Sequence, residues 1–400
     1  MLCQFSFSNF KSYRDEVTFD LQPASLSEFK ESLIKTATGG SLLPVSVIYG
    51  PNGGGKSNLL GALGCVISLV TDPVYQLGKN HSNFILQQKI EYVPYLLDNT
   101  SASEATKFQL FFQISEYEYR YFIVLLNNEI QEETLYRRKL GASRSAKIFE
   151  RRTGDISLGE TVKVKGINTE VNSKMPLLSF LAINYSTPVI SEVITWFEKC
   201  IIRSYANPVA EQQILLSDDH SSKKQFIAMM NDMGIGITDY RYDRQTNEFY
   251  LQRTLHDNNY ELPFSSESDG TRKLFAALPV ILIALKEGRL VIVDELDAKL
   301  HPKLLRYVIR LFTNPEINKK GAQLIFTSHD MATMKNSIFR RDEIWFAALD
   351  EENSSAIYSL SELRKENNDP INNTAAYDKQ YLEGRYGADP YLNNMLTWKI

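Results

Sequence analysis

A glycine-rich octet constrains this chain more than any other stretch. Residues 50–57 read GPNGGGKS and follow directly on the apolar run Pro44-Val45-Ser46-Val47-Ile48-Tyr49. The run predicts a short buried strand and the glycines a turn. Asn58-Leu59-Leu60-Gly61-Ala62-Leu63 predicts the start of a helix. Strand, loop and helix in that order are the setting of a Walker A phosphate loop, and that setting argues against a chance GxxxxGKS in a flexible loop. Phosphates carry dense negative charge and need many donors in a small space. Gly53, Gly54 and Gly55 let backbone N–H groups converge without a Cβ in the way. The helix start adds its positive end. Lys56 can reach the β- and γ-phosphates, and the Ser57 hydroxyl can ligate Mg²⁺. Asn52 and Asn58 flank these residues and complete the expected ATP-binding set.

Three further motifs lie more than two hundred residues downstream. Leu290-Val291-Ile292-Val293-Asp294-Glu295 is a continuous apolar run ending in two acids, the pattern of a buried parallel strand. It reads as a Walker B strand. Asp294 at its tip would hold Mg²⁺, and Glu295 would orient or deprotonate the attacking water. A strand followed by a solvated acidic turn is the plainer alternative. Gln323-Leu324-Ile325-Phe326-Thr327-Ser328-His329-Asp330 is another apolar strand, ending at one of only five histidines, roughly thirty-five residues after Asp294. His329 is expected beside the γ-phosphate. Ser265-Ser266-Glu267-Ser268-Asp269-Gly270-Thr271-Arg272 precedes the helix-like run Lys273-Leu274-Phe275-Ala276-Ala277-Leu278. Taken alone it is an N-capped helix start. Its place upstream of the acidic strand makes it resemble an ABC signature, with Ser268 and Gly270 as the anion-reading pair. Asp269 and Thr271 depart from the transporter form. Asp297-Ala298-Lys299-Leu300-His301-Pro302 occupies the D-loop position, with His301 where aspartate is common. No Q-loop glutamine stands out; Gln87 and Gln88 qualify by residue type alone.

With these motifs in order, the chain resembles an ABC-class ATPase of the RecF/SMC/OLD kind. Phe5-Ser6-Phe7-Ser8-Asn9-Phe10-Lys11-Ser12-Tyr13 is similar to the Asn-Phe-Lys-Ser-Tyr start of those proteins. Three stretches look closest to RloA-like abortive-infection ATPases: residues 294–302, Arg340-Arg341-Asp342-Glu343-Ile344-Trp345-Phe346, and residues 381–390, Tyr-Leu-Glu-Gly-Arg-Tyr-Gly-Ala-Asp-Pro. The resemblance runs from end to end and is weakest between about 140 and 260. It implies an α/β P-loop head of ABC type with a mixed sheet, an antiparallel β subdomain and an inserted helical subdomain. It also implies a homodimer or higher oligomer closed around ATP, a role in anti-phage defence, and often an effector nuclease encoded nearby. The signature would then read the γ-phosphate bound on the opposing subunit. Defence rests on the resemblance alone.

Composition sets wider bounds. Over 400 residues, a hydrophobic share of 43% and a charged share of 23% are ordinary for a globular chain. There is no run of eighteen apolar residues and no basic-then-apolar start. Neither a membrane span nor a signal peptide is therefore expected, nor a transporter with its own pore. Cys3, Cys65 and Cys200 are scattered, which suggests a reducing cytoplasm and no zinc site. Net charge is −4, so nucleic-acid binding is not written into the overall balance. The local exception runs from 137 to 165, with Arg137, Arg138, Lys139, Arg144, Lys147, Arg151, Arg152, Lys163 and Lys165 against Glu150, Asp155 and Glu160. That stretch is a patch for DNA or RNA phosphates, a surface for an acidic partner, or a solvated β-hairpin face.

The expected organisation is an N-terminal lobe over 1–170, a helical insertion over 171–240 and a C-terminal lobe over 241–400. Phe108-Gln109-Leu110-Phe111-Phe112-Gln113-Ile114 and the run from Tyr119 to Leu126 predict a hairpin. Residues 177–181, 193–197 and 225–230 show helical spacing. A second hairpin is expected around 237–255, helices over 273–287 and 302–313, and strands within 343–360. No sustained heptad run separates the motifs, so long SMC-type arms are not expected. OLD proteins append a nuclease after the ATPase; here little chain follows His329, so a nuclease is expected in trans. Gly384-Arg385-Tyr386-Gly387 reads as a turn that packs the tail, or whose arginine reaches a neighbour. The functions in play are a defence ATPase controlling an effector, a RecF-like DNA-binding repair factor, and a scaffold with slow ATPase.

Overall fold

Alternate residues of the strand before the glycine loop face two different cores, and that alternation organises the molecule. The computed structural model describes residues 1–77, 92–153, 155–162, 166–168, 170–185, 187–204, 220–243, 245–246, 248–364 and 368–388. Gln87, Gln88, Lys163, Lys165 and the tail motif from residue 389 lie outside them.

The chain begins with strands β1 (Leu2–Ser8), β2 (Val17–Asp20), β3 (Ile34–Lys35), β4 (Ser41–Leu42) and β5 (Val45–Tyr49), then helix α1 (Lys56–Leu77). A run of strands follows: β6 (Thr106–Ile114), β7 (Tyr117–Leu126), β8 (Glu129–Lys139), β9 (Ser145–Arg152) and β10 (Asp155–Leu158). Next come α2 (Leu177–Asn184), α3 (Pro188–Glu198), β11 (Ile201–Ser204) and α4 (His220–Asp232). Strands β12 (Asp239–Asp243), β13 (Glu248–Leu255) and β14 (Asn258–Pro263) lead to α5 (Asp269–Glu287). The last part holds β15 (Leu290–Asp294), α6 (Pro302–Thr313), β16 (Gln323–Thr327), β17 (Ile344–Leu349), β18 (Ser355–Ser359) and α7 (Tyr377–Leu382).

The central sheet runs β11-β15-β16-β5-β17-β18. Its first five strands are parallel, and β18 closes one edge antiparallel to β17. Parallel strands covered on both faces need near-continuous apolar sequence, which β5, β15 and β16 supply. Val45, Val47 and Tyr49 point into one core with Phe275 and Leu278 of α5 and Leu305 and Ile309 of α6. Ile48, Ile292 and Ile325 point into the other, with Leu59, Leu63 and Val66 of α1. That second core continues to Phe5, Phe108 and Tyr121 of an antiparallel sheet ordered β10-β9-β8-β7-β6-β1-β2. Helix α1 is long and apolar enough by composition to cross a bilayer, yet here it packs between two sheets. Mixed sheet, flanking antiparallel sheet and intervening helices form an α/β head around the glycine loop, with the mixed and antiparallel sheets that the motifs imply.

The hairpin expected at 108–126 is present as β6 and β7, turning at Ser115 with φ 51°. It grows into a meander through β10. The hairpin expected at 237–255 gains a third strand, β14. The stretch expected to be helical also carries β11, whose Ile201 and Ile202 pair in register with Val291 and Ile292. Four residues are too few to show a period, and only the sheet edge beside β15 reveals them.

Two buried polar clasps hold the loops that the sheets leave over. Helix α2 begins after Pro176, which offers no capping side chain. Glu133 of β8, fully buried, serves instead: it accepts from Leu177 N–H at 2.6 Å, Leu178 N–H at 3.0 Å and the Tyr121 hydroxyl at 3.0 Å. The second clasp is the 340–346 motif. Arg340 is fully buried and donates to both Asp342 oxygens, at 2.9 and 2.7 Å, and to the Glu28 carbonyl. Asp342 also accepts from Ala24 N–H at 2.8 Å, and Arg341 pairs with Glu28 at 2.7 Å. A buried bidentate pair with its remaining lone pairs filled fixes the geometry of the N-terminal segment against β17. The tail turn at 384–387 packs as well. Tyr358 donates to the Tyr386 carbonyl at 2.7 Å, and Phe346 stacks on Tyr381. Arg385 pairs with Glu383 at 2.7 Å.

Glu343 in this clasp generates a pH prediction. Burial pushes its carboxyl up to about 8; Oε2 accepts the Arg340 N–H, while Oε1 has no partner among the described residues. The folded pKa is raised above the unfolded one, so this acid's contribution to stability is greatest at low pH. It declines as pH rises from about 4.5 to 8. Glu343→Gln removes that loss. Urea unfolding at pH 5 and pH 8.5 should show the variant gaining on the wild type by at least about 1 kcal/mol between the two. An equal difference at both pH values would show that Glu343 does not titrate this way.

Candidate functional site

The strand order sets the site. Strand β16 lies between β5 and β15, so its C-terminal tip separates the glycine loop from the two acids. All three strands run parallel, and their C-terminal ends share one edge, where ligands of α/β sheets collect.

The loop is pressed against β17. A Cβ on Gly54 would fall 2.6 Å from the Ala347 carbonyl oxygen, so the close backbone approach demands glycine there. Gly53 faces open space and needs glycine for its φ of 82°. Gly55 presents its carbonyl to the Tyr13 hydroxyl at 3.2 Å. Asn52 and Gly53 are exposed at the loop tip, and Ser57 is exposed at the helix start. Lys56 is only 6% exposed and donates to the Gly50 and Pro51 carbonyls, each at 2.9 Å. Burial lowers its pKa, against the pull of Asp294 and Glu295. Asn58 points elsewhere: its amide donates to Ser12 at 2.8 Å, and Ser355 donates to the same hydroxyl at 2.8 Å. Tyr13 and Ser12 of the N-terminal motif thus buttress the loop from behind.

Across the edge, Ser57 donates to Asp294 Oδ1 at 3.1 Å. A hydroxyl and a carboxylate side by side are hard oxygen donors suited to Mg²⁺. Thr327, fully buried, ties the acids together. It donates to Asp294 Oδ1 at 2.6 Å and accepts from Glu295 N–H at 2.7 Å. Glu295 is exposed and carries a left-handed φ of 51°. His329 is exposed at the β16 tip, and its backbone N–H donates to Asp297 at 3.0 Å. His301, in the D-loop, accepts from Lys303 N–H at 3.2 Å and caps α6 ahead of Pro302.

The structure brings the 50–57 loop, Asp294, Glu295 and the β16 tip to one edge. Ser268 stands apart from them as the N-cap of α5, accepting from Thr271 N–H at 3.2 Å. Gly270 lies against the D-loop, where a Cβ would fall 2.9 Å from the Lys299 carbonyl oxygen. Asp269 pairs with Lys299 at 2.8 Å and with Arg272, and these cations hold its carboxyl below the ordinary range. Lys273, 2% exposed, donates to the Glu295 and Ala298 carbonyls at 2.7 and 2.8 Å. Burial pulls its pKa down to about 8. Thr327 and Lys273 are the site residues to which motif reading gives no role. The available signal is a polar side chain at the end of an apolar strand or in a helix's first apolar turn.

The basic stretch is largely neutralised in place. Arg138 pairs with Glu118, Lys139 with Glu116, Lys147 with Glu150, and Arg152 with Glu132 and Glu150. Arg151 is buried and donates to the Met175 and Asn172 carbonyls, while Arg137 lies over the Tyr117 ring at 4.6 Å. Among the described residues this leaves the pattern of a cross-paired sheet face, not an open cationic strip.

Comparison with known proteins follows the same lines. A dimeric post-hydrolysis state of the ATP-binding cassette MJ0796 bound to ADP and Pi aligns at 11% identity. The alignment covers 86% of this chain and 93% of that one, with a TM-score of 0.30. So loose a similarity carries no weight beside the strand order itself. No curated protein matches the chain. A family profile described as "AAA domain, putative AbiEii toxin, Type IV TA system" matches residues 45–335, from the first residue of β5 to beyond the His329 turn. With that match spanning well over half its length, the chain belongs to this family of AAA-domain ATPases.

Proposed function

We propose that the protein binds Mg²⁺-ATP at the 50–57 loop and hydrolyses it when two copies meet face to face. The single observation that carries this reading is the cluster of Ser57, Asp294, Thr327 and Glu295 at one sheet edge. In it Lys56 releases the loop carbonyls and takes the β- and γ-phosphates. Ser57 and Asp294 hold Mg²⁺, which when bound offsets phosphate charge. Glu295 orients the attacking water and accepts its proton, and His329 steadies that water against the γ-phosphate. Ser268 and Gly270 of the second copy close the site. An exposed N-cap hydroxyl and helix start are apt for an anion that arrives from outside the chain. ATP then favours the closed pair through contacts that ADP lacks, so hydrolysis releases it.

The biological setting is abortive infection: an anti-phage device that senses infection and controls a separate effector nuclease. Support comes from the resemblance of 294–302 and 340–346 to abortive-infection ATPases and from a family description that names a putative toxin and a toxin–antitoxin system. A cytoplasmic place of action suits Cys3, Cys65 and Cys200, all buried and none in a disulfide. The RecF-like reading is weaker among the described residues, where Arg138, Lys139, Lys147 and Arg152 of the basic stretch are each paired with a carboxylate.

Two variants test the chemistry. Glu295→Gln should lower turnover about 100- to 1000-fold and accumulate an ATP-bound dimer, seen by light scattering with Mg²⁺-ATP. Turnover at the wild-type rate would remove Glu295 from the reaction. Lys56→Ala should weaken ATP binding by about 30-fold or more in calorimetry, the loss of a charge-assisted phosphate contact. Unchanged affinity would refute the role given to Lys56.

A further inference from the structure

We propose that Lys273 is a positioning residue that fixes the backbone of Glu295, making the geometry of that acid depend on the signature helix. The inference rests on the ATPase reading of Glu295 and adds a device for coupling two sites.

Glu295 has an unusual main chain. Its φ of 51° is left-handed, a conformation that a glutamate keeps only where neighbours over-determine it. Two side chains from outside the turn do so. Thr327 of β16 takes its N–H, and Lys273 of α5 takes its C=O. The Lys273 ammonium also takes the Ala298 carbonyl, so two acceptors of one tight turn converge on a single buried cation. Carbonyls that converge in a dry place repel one another, and a multi-proton donor resolves this where a water would need room.

The other end of this lysine matters as much. It lies in the first turns of α5, whose N-cap is Ser268. A second tether, Asp269 to Lys299, joins the same helix start to the same turn. A shift of α5 caused by an anion at Ser268 would therefore move the Glu295 carbonyl with it. In this way a nucleotide held by the opposing copy would set the acid that acts on this copy's own nucleotide.

Lys273→Met keeps the stem and its packing and removes the donors; Lys273→Arg keeps a cation. Steady-state ATP kinetics and amide hydrogen exchange on the full-length chain separate the possibilities. For Lys273→Met, kcat should fall about 100-fold with KM within about threefold, as misplacement of a reacting group implies. Exchange at the amides of 295–298 should quicken by about tenfold or more, with exchange in β16 unchanged. Lys273→Arg should restore kcat to within about fivefold of wild type and return slow exchange. Unchanged exchange in Lys273→Met overturns the proposal whatever the kinetics show. So does a general rise in exchange across the central sheet, which would make Lys273 a packing residue. If wild-type protein shows no hydrolysis at all, the ATPase reading fails by itself, and the exchange comparison still decides the role of Lys273.

Discussion

A single buried hydroxyl orders the acidic side of the site. Thr327 has no access to water, so its one proton and its lone pairs must be satisfied by protein. It donates to Asp294 and accepts from the Glu295 main chain, which gives two adjacent acids different surroundings. Asp294 is held half-buried with one oxygen bonded to Thr327 and Ser57; Glu295 is turned outward into solvent. The roles proposed for the two acids, holding a metal and activating water, need that difference. It depends on β16 lying between β5 and β15, because only then does the last residue of β16 reach both acids. Sheet order and chemistry are thus one constraint.

Much of this was legible from residue order. The GPNGGGKS loop, the apolar run into Asp294-Glu295 and the run into His329 locate three neighbouring strand ends, because continuous apolar sequence and terminal polarity are local properties. Helices are likewise expected over 273–287 and 302–313, where α5 and α6 lie, the first with an N-cap at Ser268. Other features depend on partners far away in sequence. Strand β11 is four residues that acquire meaning only beside β15. Glu133 caps a helix more than forty residues on, in place of a proline that cannot. Asn58, next to the loop in sequence, has its amide bonded to Ser12 of the N-terminal segment, a contact that adjacency does not show. The basic stretch reads as cationic because three of its carboxylate partners, Glu116 in the β6–β7 turn, Glu118 of β7 and Glu132 of β8, precede it in sequence.

The lysine of the loop is itself shielded from water, yet placed for the phosphate contact proposed for it. Lys56 is nearly buried, and an unpaired ammonium there would be costly. The loop's own Gly50 and Pro51 carbonyls satisfy it. These are neutral acceptors. Phosphate oxygens are charged, so exchanging one for the other gains a stronger class of hydrogen bond with no new desolvation of the lysine. The pressed contact of Gly54 with the Ala347 carbonyl keeps the loop backbone fixed during such an exchange.

The departures of the 268–272 stretch from the transporter signature also have a physical content. Aspartate at 269 gives Lys299 and Arg272 a carboxylate, which fastens the helix start to the D-loop turn. Glycine at 270 is needed within this chain, since any Cβ would collide with the Lys299 carbonyl. Its φ is not left-handed, so close approach and not conformational freedom is the reason. The tight packing leaves the Ser268 hydroxyl at the surface while drawing the next five residues onto the turn that carries Glu295. A stretch built this way has one face fixed to its own acid and the other turned outward. That asymmetry suits the proposed sharing of this stretch between two copies.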